Sequence, residues 1–297
     1  MKKLLFLLGI LFPFFLQAQE QHHDLEYHWE KGWNKIRIVS YNVLSAPNDK
    51  VRGEKLTNWL NQQDAEITGF QELTMSSADF AKAAKEWGHP YTVLLYENKL
   101  SIGLSSKQPM EIVKKQKGPH HGFLHVKAYG LNLIVTHLHP GPWKNRLEEA
   151  DILVDYIRDN KLDSVVVMGD MNSHSPMDAD YLENNSSILP LMRGGYKSDN
   201  FPNGNFDYFA ISRLMSAPLN DAIYQFVPVE NRMSFPTRLL MTTSKQDYRV
   251  KKRMERIDFL LTSPSINSQV VDGYVFNGPE TDYISDHYPI AIDVLVK

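Results

Sequence analysis

The sequence predicts an α/β protein built as a four-layer sandwich, two packed mixed β-sheets flanked by helices. Three observations point there. Runs rich in β-branched and aromatic residues alternate with runs whose apolar residues recur at helical spacing. The alternation is repeated in the two halves of the chain, and no Pro/Gly/Ser-rich linker, short repeat or low-complexity tract interrupts residues 35–297. Strands with helices between them, in two halves, bury one face of each sheet on the other and leave the outer faces to the helices.

Residues 1–19 read as a secretory signal peptide: "MKK", then "LLFLLGILFPFFL", then "QAQ", with cleavage near Ala18 or Gln19. The apolar core has thirteen residues and contains Gly9 and Pro13, well short of the roughly 20 that a membrane-spanning helix needs, so no stable membrane insertion is expected. The protein is expected to be periplasmic or secreted. With no cysteine in the chain, a lipid-anchored lipoprotein and any disulfide partner are excluded. Residues 20–34 form a polar lead-in, and 35–297 read as one catalytic domain, expected to act as a monomer.

Each element has its own signal. "KIRIVSYNV" is an alternating, β-rich strand, and "RGEKLTNWL" sets Leu56, Trp59 and Leu60 at helical spacing. "AEITGFQEL" returns to strand, and "SADFAKAAKEWG" offers a serine cap, Phe80, Ala84 and Trp87 on one face, and a glycine stop. In the second half "GLNLIVTHL" is a strand and "NRLEEADILVDYI" is a helix expected to bury Leu147, Ala150, Val154 and Ile157. "SVVVMGD", "RIDFLLTS" and "HYPIAIDVLV" complete the strands.

Hydrophobic residues make up 42% of the chain, ordinary for a globular core. Removing Lys2 and Lys3 with the leader takes the formal charge from −3 to −5, so binding to nucleic acid through overall basic charge is excluded and any attraction for phosphate is local.

Several strands end in polar groups. Asn42 ends "RIVSYN", Glu72 ends "ITGFQE", His137 ends "LIVTH", and Asp170 with Asn172 ends "VVVMGDMN". Asp258 lies in "RIDFLL", and Asp286 with His287 opens "SDHYPI". Strand ends are where α/β sheets form ligand crevices, so ionisable groups from distant segments can converge there. Taken singly, each has a structural explanation: Asn42 as a turn former, Asp170 and Asn172 as caps of a helix at "SPMDADYL", Glu72 as a helix cap, or Asp258 paired with Arg256.

Taken together, "SYN", "QE", "TH", "GDMN", "RIDF" and "SDH", in that order, with softer matches at "LND" (219–221) and "FPT" (235–237), resemble the endonuclease/exonuclease/phosphatase superfamily, metal-dependent phosphoesterases similar to pancreatic deoxyribonuclease. The resemblance implies that Asn42, Glu72 and Asp286 hold the metal, Glu72 foremost. It implies that His137, Asp170, Asn172, Asp258 and His287 are catalytic, with His137 and Asn172 also contacting the phosphate. Asp170 is expected to orient or deprotonate the attacking water, and Asp258 to fix the tautomer of His287. Mg²⁺ is the expected cofactor, with Mn²⁺ or another divalent cation as a substitute. Leu44 departs from the pattern: some nucleases carry an additional acidic ligand there, so a second metal position is in question.

Arg146 opens the helix after the "TH" strand and is a candidate substrate contact or the partner of Glu149, three residues on. His120, His121 and His174 are weaker candidates for the cleft. The stretch "SKQDYRVKKRMER" (244–256) carries six basic residues against two acidic and reads as a solvated edge or as a basic rim facing a polyanion.

The functional expectation is an exported, divalent-metal-dependent phosphoesterase, a phosphodiesterase or nuclease-like hydrolase with a phosphate-ester substrate. The alternatives are a phosphatase or phospholipase-type hydrolase on inositol, sugar or lipid headgroup phosphates, and a catalytically silent binding protein on the same scaffold.

Overall fold

Side-chain alternation along the first strand sets up the whole architecture. In β1 (Asn34–Asn42), Ile36 and Ile38 point into one apolar core, while Val39 and Tyr41 point into another on the opposite face. In this computed structural model, residues 32–118, 120–185, 187–194, 197–243 and 254–297 are described. The expected signal peptide, nearly all of the lead-in and residues 244–253 of the basic stretch lie outside them.

The first sheet has the order β11-β12-β1-β2-β4-β3, with β2 Ile67–Leu73, β3 Tyr91–Leu94, β4 Ser101–Ser106, β11 Val270–Val275 and β12 Ile290–Val296. The second has the order β5-β6-β7-β8-β10-β9, with β5 Glu111–Gln116, β6 Phe123–Ala128, β7 Leu131–His137, β8 Val165–Asp170, β9 Asn220–Asp221 and β10 Asp258–Thr262. Each sheet is mixed: β1 and β2 are parallel, as are β7 and β8, and the other pairs are antiparallel. The parallel pairs are joined by the long helices α1 (Lys50–Gln63) and α3 (Trp143–Asp159), the crossover that parallel strands require.

Between the sheets lies a core that includes Ile38, Ile67, Leu133, Val135, Val166, Met168, Leu260 and Ile292. Outside the first sheet, α1 and α2 (Ser77–Glu86) pack Leu56, Trp59, Leu60, Phe80 and Ala84 against Phe70 and Tyr41. Outside the second, α3 and a short helix at Phe209–Met215 pack Leu153, Val154, Ile157, Ile211 and Leu214 against Ile134, Val167 and Phe259. The four-layer sandwich is thus the observed fold.

Local readings differ in instructive ways. The cap of α2 is Ser76, whose Oγ accepts from the Asp79 N–H at 3.1 Å. In α3, Leu147 is only half-buried, and the face toward the sheet takes in Arg146, Glu149 and Leu153 instead. The helical segment after "GDMN" is capped by Ser175, whose side chain accepts from Met177, so Asp170 and Asn172 are released from that structural role. Among the described residues no helix is long and apolar enough to cross a membrane.

Gly169 shows how tightly the strand leading to Asp170 is built. Its φ is +151°, and a Cβ there would lie 1.9 Å from the carbonyl oxygen of Thr136 on β7. Gly169→Ala is therefore expected to destabilise the fold by more than about 1 kcal/mol, read as a lowered denaturation midpoint. An unchanged midpoint would show that the β7–β8 spacing yields freely.

Candidate active site

The alternation that builds the inter-sheet core also aims the polar strand ends. Ile36 and Ile38 share parity with Asn42, Leu133 and Val135 with His137, Val166 and Met168 with Asp170, and Leu260 with Asp258. In β7 and β8 a row of apolar side chains into the core finishes with one polar group on the same face; in β1 and β10 the row also takes in Ser40 and Thr262. Register then aligns them: on the second sheet His137 pairs with Asp170, and Asp170 with Asp258.

Glu72 arrives by another route. The register of β2 on β4 shifts between Phe70 and Leu73, and Glu72 has φ +59°. Its carbonyl is fastened by the Ser45 N–H at 2.9 Å and the Ser45 hydroxyl at 3.1 Å. Ser45, Leu44 and Asn172 also have φ near +50°. Left-handed backbone at these four non-glycine residues, of which Glu72 and Asn172 line the cavity, is a cost that the surrounding hydrogen bonds sustain.

Asp170 is the hub of the cluster. Its Oδ2 accepts from Asn42 Nδ2 at 3.0 Å and lies 3.3 Å from His137 Nε2 and 3.5 Å from His287 Nε2, while Oδ1 accepts from the Asn172 N–H at 2.9 Å. His287 Nδ1 meets Asp258 Oδ2 at 2.9 Å. Asn42 Nδ2 also reaches Glu72 Oε1 at 3.2 Å, so one carboxamide ties the two sheets together. Glu72, His137 and Asp170 each offer a ligand atom within 4.8 Å of the others, as do Asp170, Asp258 and His287.

Burial opposes charge on all of these groups, and their mutual attraction reverses it. Desolvation would raise the Asp170 carboxyl, but His287 and His137 bring it down to about 2. Desolvation would lower His287, but Asp258 and then Asp170 lift it well above the ordinary histidine value. His137 is raised in the same way, against its burial, by Asp170. Asp258 is pushed up by burial, with His287 pulling the other way. Glu72, Asp170, Asp258 and Asp286 bring four carboxyl groups to the cluster beside the imidazoles of His137 and His287. That donor set, mostly oxygen, fits a hard divalent cation.

The cavity around this cluster has a volume of about 190 Å³. Glu72, His137, Asp170, Asn172, Asp286 and His287 all line it. Asp286 belongs to neither compact ligand group among the described residues; its loop is pinned by the Thr237 N–H donating to the Asp286 carbonyl at 2.9 Å. In Asn42 the amide nitrogen faces the carboxylates, and the carbonyl oxygen accepts from the Leu44 N–H at 3.2 Å. In this orientation Asn42 is a bridge between Glu72 and Asp170, and serving as an oxygen ligand would require the amide to turn over. Asn172 is not on extended chain, and its Nδ2 gives one proton to the Leu138 carbonyl at 3.1 Å, which leaves the second proton for a ligand.

Arg146 stands in the cavity wall with its guanidinium already committed. It is buried, meets Asp207 at 2.7 Å, and donates to Asn200 Oδ1 at 2.6 Å and to the carbonyls of His139 and Gly141. It is neither a surface ion pair with Glu149 nor a loose cation; Glu149 instead accepts from the His139 N–H. Arg256 pairs with Asp178 at 2.7 Å and Asp221 at 2.6 Å, not with Asp258, so "LND" supplies a structural anchor. Phe235 of "FPT" packs its ring 4.8 Å from that of His287.

Two features were weak in the sequence. The ring of His121 stacks on that of His137 at 4.4 Å, and burial first, then His137, takes its pKa down to about 4. His174 and Glu255 form a second imidazole–carboxylate pair in the same cavity, Nε2 to Oε2 at 2.8 Å. Glu255 lies just before β10, held by an isolated bridge to Phe235, and no strand pattern in the sequence marks it.

Residues 39–287 match the model of the Endonuclease/Exonuclease/phosphatase family. No curated protein matches the chain. Among solved structures, an AP endonuclease from Archaeoglobus fulgidus aligns with a TM-score of 0.66 at 19% identity, over 86% of this chain and 98% of that one. A 3′-5′ exonuclease from Neisseria meningitidis aligns with a TM-score of 0.66 at 20% identity, over 87% of this chain and 99% of that one. A Neisseria 3′ phosphatase bound to a product DNA hairpin gives 0.64 at 19% identity, over 87% and 99%. At such identities the likeness is one of fold. The family match, by contrast, spans nearly all of the sandwich and every strand end that meets at Asp170, and the chain belongs to the Endonuclease/Exonuclease/phosphatase family.

Proposed function

We propose that this protein is an exported, monomeric, divalent-metal-dependent phosphoesterase, acting on phosphodiesters in the manner of a nuclease. The observation that carries the reading is the Asp170 carboxylate, flanked by two buried imidazoles and bridged through Asn42 to Glu72. Nucleic acid is the first substrate class to test, because the Neisseria phosphatase holds a DNA hairpin and the archaeal relative is an AP endonuclease. Export rests on residues 1–19 of the sequence.

On this reading Glu72 and Asp170, with Asp286 beside them, hold the cation, for which Mg²⁺ suits the oxygen donors. When bound, it supplies charge neutralisation at the phosphoryl oxygens. The chain's own groups do the rest. Asp170, kept ionised, accepts a proton from the attacking water or orients it. His287, its Nδ1–H fixed on Asp258, presents Nε2–H to a phosphoryl oxygen as charge develops there. His137 and the spare Nδ2 proton of Asn172 are further donors to the same oxygens.

Hydrolysis of bis(p-nitrophenyl) phosphate by the mature protein is expected with Mg²⁺ or Mn²⁺ and not in excess chelator; full activity with chelator would overturn the metal requirement. Glu72→Gln should raise the Mg²⁺ concentration for half-maximal activity by at least about tenfold, and an unchanged requirement would take Glu72 out of the ligand set. A panel of plasmid DNA, RNA, sphingomyelin, inositol phosphates and sugar phosphates then assigns the substrate, turnover of monoesters alone being the outcome that replaces nuclease with phosphatase.

A further inference from the structure

The two imidazoles beside Asp170 are held in different ways. His287 has an orienting carboxylate: its Nδ1 meets Asp258 Oδ2 at 2.9 Å, which fixes the ring while Nε2 faces Asp170. His137 has no second carboxylate of that kind among the described residues. Its ring makes one ion-pair contact, Nε2 with Asp170 Oδ2 at 3.3 Å. A single contact at the tip of an imidazole does little to stop rotation about the Cβ–Cγ bond, a torsion that is soft in histidine. Yet His137, the last residue of β7, is only 3% exposed, so something else covers the ring.

That cover is His121. The two ring planes are 3° from parallel and their centres 4.4 Å apart, so one flat face lies against the other. A face-to-face neighbour resists the motion that a tip contact permits, the swing of the ring out of its own plane. The backbone beside each ring is tied to the other: the Thr136 hydroxyl, next to His137, donates at 3.0 Å to the carbonyl of Gly122, next to His121. Gly122 has φ +72°, and a Cβ there would stand 2.0 Å from the Gln116 carbonyl oxygen, so the chain carrying His121 is closed tightly onto the end of β5. With its pKa taken down to about 4, by burial first and then by His137, His121 is uncharged at neutral pH. It therefore lies on a protonated neighbour without like-charge repulsion, its π face toward the cation.

We infer that His121 is a positioning residue for His137: its ring, laid flat on that of His137, keeps Nε2 directed at Asp170 and shuts water from that face. It does by packing for His137 what Asp258 does by hydrogen bonding for His287. The inference rests on the phosphoesterase reading and adds to it a residue that none of the strand-end motifs contains.

Two variants test it. His121→Phe keeps a flat ring and loses the nitrogens, whereas His121→Leu keeps apolar bulk and loses the flat face. On bis(p-nitrophenyl) phosphate with Mg²⁺, His121→Leu should lower kcat by about tenfold or more with KM little changed, and His121→Phe should restore most of the wild-type kcat. Wild-type kcat in His121→Leu would overturn the inference. So would His121→Phe as impaired as His121→Leu, which would show that the imidazole nitrogens act, and so would a rise in KM alone, which would make His121 a substrate contact. The imidazole N–H signal of His137, assigned in a nitrogen-edited proton spectrum by its loss in His137→Gln, reads the same point without turnover. It should exchange slowly with water in wild type and in His121→Phe, and be broadened by exchange in His121→Leu. Should wild type hydrolyse no phosphate ester, the phosphoesterase reading fails by itself, and this signal decides the positioning role: a signal missing from wild type, or unchanged in His121→Leu, would overturn it.

Discussion

Asp170→Asn is expected to lower kcat/KM on a generic phosphodiester by on the order of 10³-fold, with the circular dichroism spectrum unchanged. Among the described residues, the carboxylate is the group that touches both imidazoles and, through Asn42, the other sheet. Asparagine preserves its shape and removes its charge. On the proposed reading, that deletes the proton acceptor for the attacking water and one of the anions holding the cation. It also takes from His137 and His287 a negative neighbour, so the pKa of each falls and fewer donors remain protonated at neutral pH. A loss smaller than about tenfold would mean that the water is activated elsewhere.

His287→Ala is expected to cost at least about 10²-fold, the usual scale for losing a positioned acid/base or oxyanion-stabilising group. Asp258→Asn is the sharper companion, because it leaves the imidazole in place. Asp258 contributes the largest upward pull on His287, outweighing burial together with Asp170. Removing its charge lowers the pKa of His287. If the imidazolium is the donor, activity is present below that pKa and lost above it, so the alkaline limb of the kcat/KM profile moves to lower pH. A limb that stays in place would detach the Asp258–His287 pair from the rate, whatever its role in packing.

Strand alternation made much of this site legible before any coordinates. Asn42, His137, Asp170 and Asp258 continue the apolar row of their own strands, so a reader who follows Val166 and Met168 arrives at Asp170 on the correct face. Helices α1 and α3 were legible because their buried residues recur at 3.6-residue spacing. Glu72 resisted that reasoning: only the bulge after Phe70 and a positive φ turn it into the cavity, and neither is written in the alternation of "ITGFQEL". The motif order found it where periodicity could not. The edge strand β5 was missed because nearly all of "EIVKKQ" is exposed, which removes the burial contrast that alternation depends on. Arg146 with Asp207 and His174 with Glu255 join residues 61 and 81 positions apart, and no local spacing rule connects such pairs.

The order in which the chain visits its two sheets carries a consequence for assembly. It lays down β1 to β4 in one sheet and β5 to β10 in the other, then goes back to insert β12 between β11 and β1, delivering His287 just before it does so. A nascent polypeptide therefore holds Asp170 long before it holds the imidazole opposite, and the cluster is complete only once residue 287 has joined it. Residues 270–297, offered as a separate peptide to a chain that stops before them, are the natural way to ask whether such a clasp can be fastened afterwards.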